Sequence, residues 1–264
     1  MKTPRLDIFV KTWRNDLCWL SYSLSFLQKN WLEWLEPDSR IIVIADANCR
    51  DVVEQWGFGP KVRYYYCTPW PDGYNHAQFM KVRADEFTDA ELIMLIDSDM
   101  MMIEPASRKD FMDGDRPVIH WEYCAELLAH YASINAVFPW PTLVKRLTKI
   151  EPEKEYMQIQ PMIYRADTFR GTRRLITQAH GWPLEQIAFS GVPFDPIKFE
   201  QHPHSFTDHN CLGLYADLYQ HDLYEWRQSK WEPSNTRQRK LTWFHSWTQW
   251  NDQTQIELDK LLAK

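Results

Sequence analysis

Residues 92–96, LIMLI, form an unbroken apolar run that stops at Asp97-Ser98-Asp99. A strand with no polar position has no face to offer water, so it must be covered on both sides. Three further runs have strand character: 6–11 (LDIFVK), 41–45 (IIVIA) and 62–67 (VRYYYC). Helical spacing separates them. Over 15–29, Leu17, Leu20, Leu24 and Leu27 share one side, with Asn15 or Asp16 as a cap. A short helix is expected over 49–57, stopped by Gly57, then a loop over 68–75 and a helix over 76–87. This alternation predicts an α/β fold with a mostly parallel central sheet flanked by helices. In such sheets ligands bind beyond the carboxyl ends of the strands, where Asp46 and the pair Asp97 and Asp99 fall.

The second half is less regular. Strands are expected at 117–121, at 157–165 (an edge, because of Pro161) and at 241–250. Helices are expected over 123–136, 167–180, within 205–222 and over 251–264, with a polar, basic loop over 225–240. No repeat or linker interrupts the chain, so it reads as one domain, 1–264. Residues 1–105 form its ligand-binding half, and 106–264 supply the side facing a second substrate.

Composition narrows the function. The 264 residues are 44% hydrophobic and 25% charged, as in ordinary globular domains. Fourteen Trp are far more than a core of this size needs, and flat rings also suit stacking on sugars or bases. A net charge of −6 argues against a broad basic surface for nucleic acid, although 227–240 (RQSKWEPSNTRQRK) is locally basic. The five cysteines are odd in number and form no CxxC pair, which argues against a disulfide framework or a structural zinc site and points to a reduced, cytoplasmic protein. The N-terminal residues lack the apolar core of a signal peptide, and no run is long enough to span a membrane. The sequence holds no GxGxxG, GxxxxGK[ST] or GxSxG motif, which counts against dinucleotide dehydrogenases, P-loop enzymes and α/β-hydrolases.

The chemistry concentrates in ELIMLIDSDMMMIEP, residues 91–105. In extended backbone, residues i and i+2 point the same way, so Asp97 and Asp99 can approach one hard divalent cation, Mn²⁺ or Mg²⁺. Such an ion would bridge to phosphate oxygens and stabilise a leaving diphosphate. A DxD triplet alone is a weak signal and equally suits a solvated turn. Its position after a buried strand gives it weight.

This segment, with the stretch HAQFMKVRADEFTDA before it, resembles the GT-A glycosyltransferases, whose single Rossmann-like domain carries a DxD motif at the end of a central strand. The resemblance implies a metal-dependent enzyme moving a sugar from a nucleotide-sugar, by commonest usage a UDP-sugar, to a hydroxyl. It implies that Lys11, Thr12 and Trp13 at the first strand end, and Asp46 at the second, adjoin the nucleotide. It places Lys81 by the donor diphosphate and Gln78 by the sugar or ribose, with Asp97 and Ser98 also at the donor. Asp97, Asp99 and a C-terminal histidine, His245, would hold the metal, with Trp243 and Trp247 beside it. Asp208 becomes the candidate general base, with His209 and Glu122 as lesser candidates. The competing readings are plain. Gln78 and Lys81 suit an exposed helix face, Asp46 an exposed turn, His245 simple packing, and Asp208 a helix N-cap.

Three acceptor classes stay open: a glycan, hydroxymethylated pyrimidine in DNA, as in some phage enzymes of this build, and a protein or small molecule, with a glycan or other small hydroxyl and DNA ranked nearly level. The DNA reading draws on 227–240 with Trp231, extended by Arg173, Arg174, Lys145 and Arg146, and on base extrusion into an aromatic pocket. The alternatives outside this class are a nucleotidyltransferase, disfavoured because KTWRND after the first strand has no glycine, and a non-catalytic nucleotide-binding protein.

Overall fold

The computed structural model describes residues 3–31, 35–133, 139–157, 160–190, 206–229, 242–243 and 250–263. Its main sheet has the order β3-β2-β1-β4-β9. Strands β1 (Leu6–Thr12), β2 (Ile41–Asp46), β3 (Val62–Cys67) and β4 (Leu92–Asp97) run parallel, and β9 (Met162–Arg165) lies antiparallel beside β4. The fold is therefore α/β with a mostly parallel central sheet.

Side-chain alternation divides the core in two. Phe9, Ile42, Ile44, Ile93 and Leu95 face one side. There they meet Phe79 of α3 (Gly73–Lys81), Leu147 of α5 (Trp140–Thr148), Phe169 of α6 (Ala166–His180) and Leu212 of α8 (Asp208–Tyr219). Ile8, Val10, Ile41, Val43, Met94 and Ile96 face the other, against Leu20, Leu24 and Leu27 of α1 (Leu17–Asn30). Each fully buried Leu, Ile or Phe contributes about 1.5–3 kcal/mol, so the two layers together fix the sheet.

Several elements depart from the sequence reading. Helix α2 is only Arg50–Val53, although Gly57 does take a left-handed conformation, φ 64°, just beyond it. Helix α3 starts three residues early, at Gly73, because the Asp72 carboxylate accepts the Asn75 amide at 3.1 Å. It ends at Lys81 rather than at 87. After β4 come β5 (Met100–Met101) and β6 (Met112–Asp113). Strand β7 (Arg116–Tyr123) leads into α4 (Cys124–Ser133), and the short β8 (Lys154–Glu155) pairs back onto β7. Helix α5 was unexpected, though it buries Leu143, Val144 and Leu147 at helical spacing, and so was α7 (Leu184–Ser190).

The expected loop at 225 is instead a strand, β10 (Glu225–Gln228), parallel to β7. A polar edge strand carries no apolar signature, so its pairing is visible only in three dimensions. Strand β11 (Thr242–Trp243) pairs antiparallel with β5, and α9 (Asp252–Leu262) packs Leu258 against Trp19 and Phe26 of α1. Among the described residues no helix is long and apolar enough to cross a membrane.

Candidate active site

The carboxyl ends of β1 and β4 open onto a cleft of about 150 Å³, walled on the far side by the first turns of α3. The β1–β4 register sets Lys11 opposite Asp97, so the two strand tips begin the site at one level. Thr12, Trp13, Gln78, Ser98 and Asp99 also line the cleft. Trp13 packs against the α3 entrance: a Cβ at Gly73 would come within 2.6 Å of its ring, so only glycine lets the indole sit there.

The two carboxylates of the triplet differ in surroundings. The Asp97 side chain is 24% exposed, whereas Asp99 is buried. Between them Ser98 turns inward and donates its hydroxyl to Asp16 at 3.0 Å. Burial raises the Asp16 pKa, and the Asp97 charge adds to that rise. Asp16, read from sequence as a helix cap, makes no side-chain cap bond. It is a wall residue, and so is Tyr74. Asp16 stands in the turn before α1 and Tyr74 in the first turn of α3, positions where the apolar periodicity carries no signal for a cleft.

Behind the cleft floor lies a buried ion cluster. Lys81 is 1% exposed and pairs with Asp97 and, at 3.3 Å, with Asp208. Burial works against its charge, but the carboxylates of Asp208 and Asp97 outweigh that and raise its pKa. Gln78 ties the same corner together, its side-chain carbonyl accepting the Asp208 amide at 3.1 Å. Gln78 and Lys81 thus share a face, as their spacing implied, but the face is turned inward onto α8 rather than out to solvent.

Asp208 sits differently from its expected place. It is fully buried, and Thr207 rather than Asp208 is the N-cap residue of α8, although the Asp208 carboxylate does accept the first-turn amide of His209. Burial pushes its pKa up, but His209, the Lys81 ammonium and the His209 amide, which donates to it at 2.6 Å, hold it below the ordinary carboxylate value. A buried, tightly paired carboxylate of lowered pKa is a poor proton acceptor. His209 is also fully buried, and burial lowers its pKa. Glu122 lies on β7, paired in register with Glu155, away from the cleft lining.

Asp46 ends β2, one strand over from β1 in the same sheet. Its carboxylate receives the Lys11 ammonium at 2.6 Å and lies 3.5 Å from Nδ1 of His76 and 3.7 Å from the thiol of Cys67. It is 5% exposed, so it is not a solvated turn residue. Burial pushes the Cys67 thiol up to about 11, and burial together with the Lys11 charge drops His76 to about 4.

His245, Trp247 and Trp231 lie outside the described residues, as does the basic run from 230 onward. Of the cations expected to extend that run, Arg173 is bound to Asp85 and to the Val82 carbonyl, and Lys145 pairs with Glu151. Arg174 is exposed, and burial lowers the pKa of Arg146 to about 10.

No family model matches the sequence, and no curated protein matches it. Among solved structures, the chain resembles an active-site mutant of LgtC at TM-score 0.39 and 11% identity. That match covers 66% of this chain and 64% of the LgtC chain, and at such a score it adds nothing to the topology already described.

Proposed function

We propose that the chain is a metal-dependent glycosyltransferase of GT-A type, moving a sugar from a nucleotide-sugar to a hydroxyl acceptor. The observation that carries this reading is the meeting of Asp97 and Asp99 with Lys11 and Trp13 in one cleft, at the carboxyl ends of parallel strands. Carboxylates two residues apart are the donor type a hard divalent ion takes, and such an ion would compete with the Lys81 ammonium for Asp97. His245 is proposed as a third donor, on the strength of the register that sets Trp243 against Met100, next to Asp99 in the chain. When bound, Mn²⁺ or Mg²⁺ supplies charge stabilisation to the departing diphosphate.

The chain's own residues do the rest. Trp13 offers a ring face for the nucleotide base. Lys11 and Thr12 offer donors to ribose and phosphate from the same strand end, and Asp46 holds the Lys11 ammonium at the cleft edge. Lys81 and Asp208 act from beneath by fixing the Asp97 carboxylate, which suits their burial better than direct contact with donor or acceptor. The acceptor is a glycan hydroxyl or a hydroxymethylated pyrimidine in DNA.

Nucleotide release from UDP- and GDP-sugars with Mn²⁺ tests the reading. Wild type should release nucleotide only with metal, and Asp99→Ala should abolish release. Equal release by both proteins would remove Asp99 from the mechanism and with it the proposal. Gel retardation of hydroxymethylated duplex DNA at low salt tests the DNA acceptor: a salt-sensitive shift supports DNA, and none eliminates it.

A further inference from the structure

Beside the cleft, three metal-ligating side chains converge from three elements: Asp46 at the end of β2, Cys67 at the end of β3 and His76 in α3. Among the described residues no other such group of histidine, cysteine and carboxylate occurs. All three ligand atoms lie within 4.8 Å of one another, and the two spacings from Asp46 match a tetrahedral site. Zinc bonds of about 2.0–2.3 Å to N, O and S set ligand atoms about 3.3–3.8 Å apart. Here Asp46 Oδ1 is 3.5 Å from His76 Nδ1 and 3.7 Å from Cys67 Sγ.

A second observation points the same way. His76 Nδ1 is buried and makes no hydrogen bond, although the imidazole is otherwise closely held, stacked on Trp70 at 4.5 Å and 7°. A buried ring nitrogen left without a partner and aimed at a carboxylate is costly unless something binds it.

We propose that Asp46, Cys67 and His76 form a binding site for a borderline divalent metal, of which Zn²⁺ is the natural occupant, separate from the Asp97–Asp99 centre. Thiolate, imidazole and carboxylate are the donor types zinc takes, and three protein ligands leave a fourth position open. Binding forms a metal–sulfur bond, breaks the Cys67 S–H bond and releases that proton to solvent, with no change of oxidation state. The cation already at Asp46, the Lys11 ammonium, is the competitor. An incoming dication takes over its carboxylate and frees a lysine that also lines the donor cleft. Cysteine spacing along the chain gives no hint of this site, because its ligands come from two strand ends and a helix.

Titration with Co²⁺ as a spectroscopic stand-in tests the proposal without reference to sugar transfer. Wild type should bind one equivalent with a sulfur-to-cobalt charge-transfer band, and Zn²⁺ should displace it. The Asp97→Ala/Asp99→Ala double variant should keep the band, so loss of the glycosyltransferase centre and loss of this site read separately. Cys67→Ser and His76→Ala should lose it. Lys11→Met should bind more tightly, by roughly tenfold or more, because a competing unit charge is gone. Zn²⁺ should also shield Cys67 of the wild-type protein from alkylation, read by mass spectrometry, which needs no variant to fold. Absence of the band in wild type, its survival in Cys67→Ser, or alkylation of Cys67 unaffected by Zn²⁺ would overturn the assignment.

Discussion

Replacing Lys81 by Met tests the buried ion cluster most directly. The methionine keeps most of the volume but removes the ammonium between Asp97 and Asp208. Asp97 can turn to water, since its side chain is partly exposed, whereas Asp208 is fully buried. Breaking a buried pair from one side costs about 3–5 kcal/mol, because the remaining charge is left uncompensated. For a chain of this size that is a fall in Tm of roughly 6–20 °C.

The pH dependence carries a sign. In wild type the folded-state pKa of Asp208 is lowered, so its contribution is present above the unfolded-state value and lost as pH falls through the folded one. In Lys81→Met, burial loses one of its opponents, His209 remaining, and the folded-state pKa rises. Stability is then present below the unfolded-state value and lost as pH rises through the folded one. The gap between the two proteins should therefore widen from about pH 4 to neutrality. Adding Asp208→Asn to the variant should recover most of the loss by removing the orphaned charge. Thermal unfolding followed by circular dichroism across that range is the assay. Parallel pH profiles for wild type and Lys81→Met would show that Asp208 does not depend on Lys81, and the argument for the cluster would fail.

Three further outcomes follow from packing. Gly213→Ala should cost about 1–3 kcal/mol by urea unfolding, because the new Cβ meets the buried Tyr156 ring at 2.3 Å, whereas Gly59→Ala meets nothing within 4 Å and should stay within about 0.5 kcal/mol of wild type. Gly73→Ala should displace the Trp13 indole and weaken nucleotide binding by calorimetry with little loss of Tm; unchanged affinity would take Trp13 out of the donor site. Phe169→Ala, which empties a fully buried position between α6 and the sheet, should cost about 3–5 kcal/mol in the same urea assay.

The parallel strands could be read from sequence because burial on both faces leaves them no polar residue to blur the pattern. Expected runs at 6–11, 41–45, 62–67 and 92–96 match β1 to β4 to within one residue at each end. The end of β4 was legible for the same reason: the first polar residue after such a run marks where the sheet meets the cleft, and Asp97 stands there, with Asp46 buried to one side. What the sequence withheld is depth. Lys81 and Gln78 have the spacing of an exposed helix face, and nothing local says that Asp208 lies against them, 130 residues beyond Gln78 in the chain. The same blindness hid β10, whose polar residues pair with β7, and the convergence of Cys67 and His76 on Asp46. Periodicity reports which side of an element is wet, but a buried ion pair is stable because partners from distant elements neutralise one another, and each partner alone reads as surface. Polar residues that depart from the apolar pattern beside a strand tip are therefore the positions where a sequence of this kind understates its own chemistry.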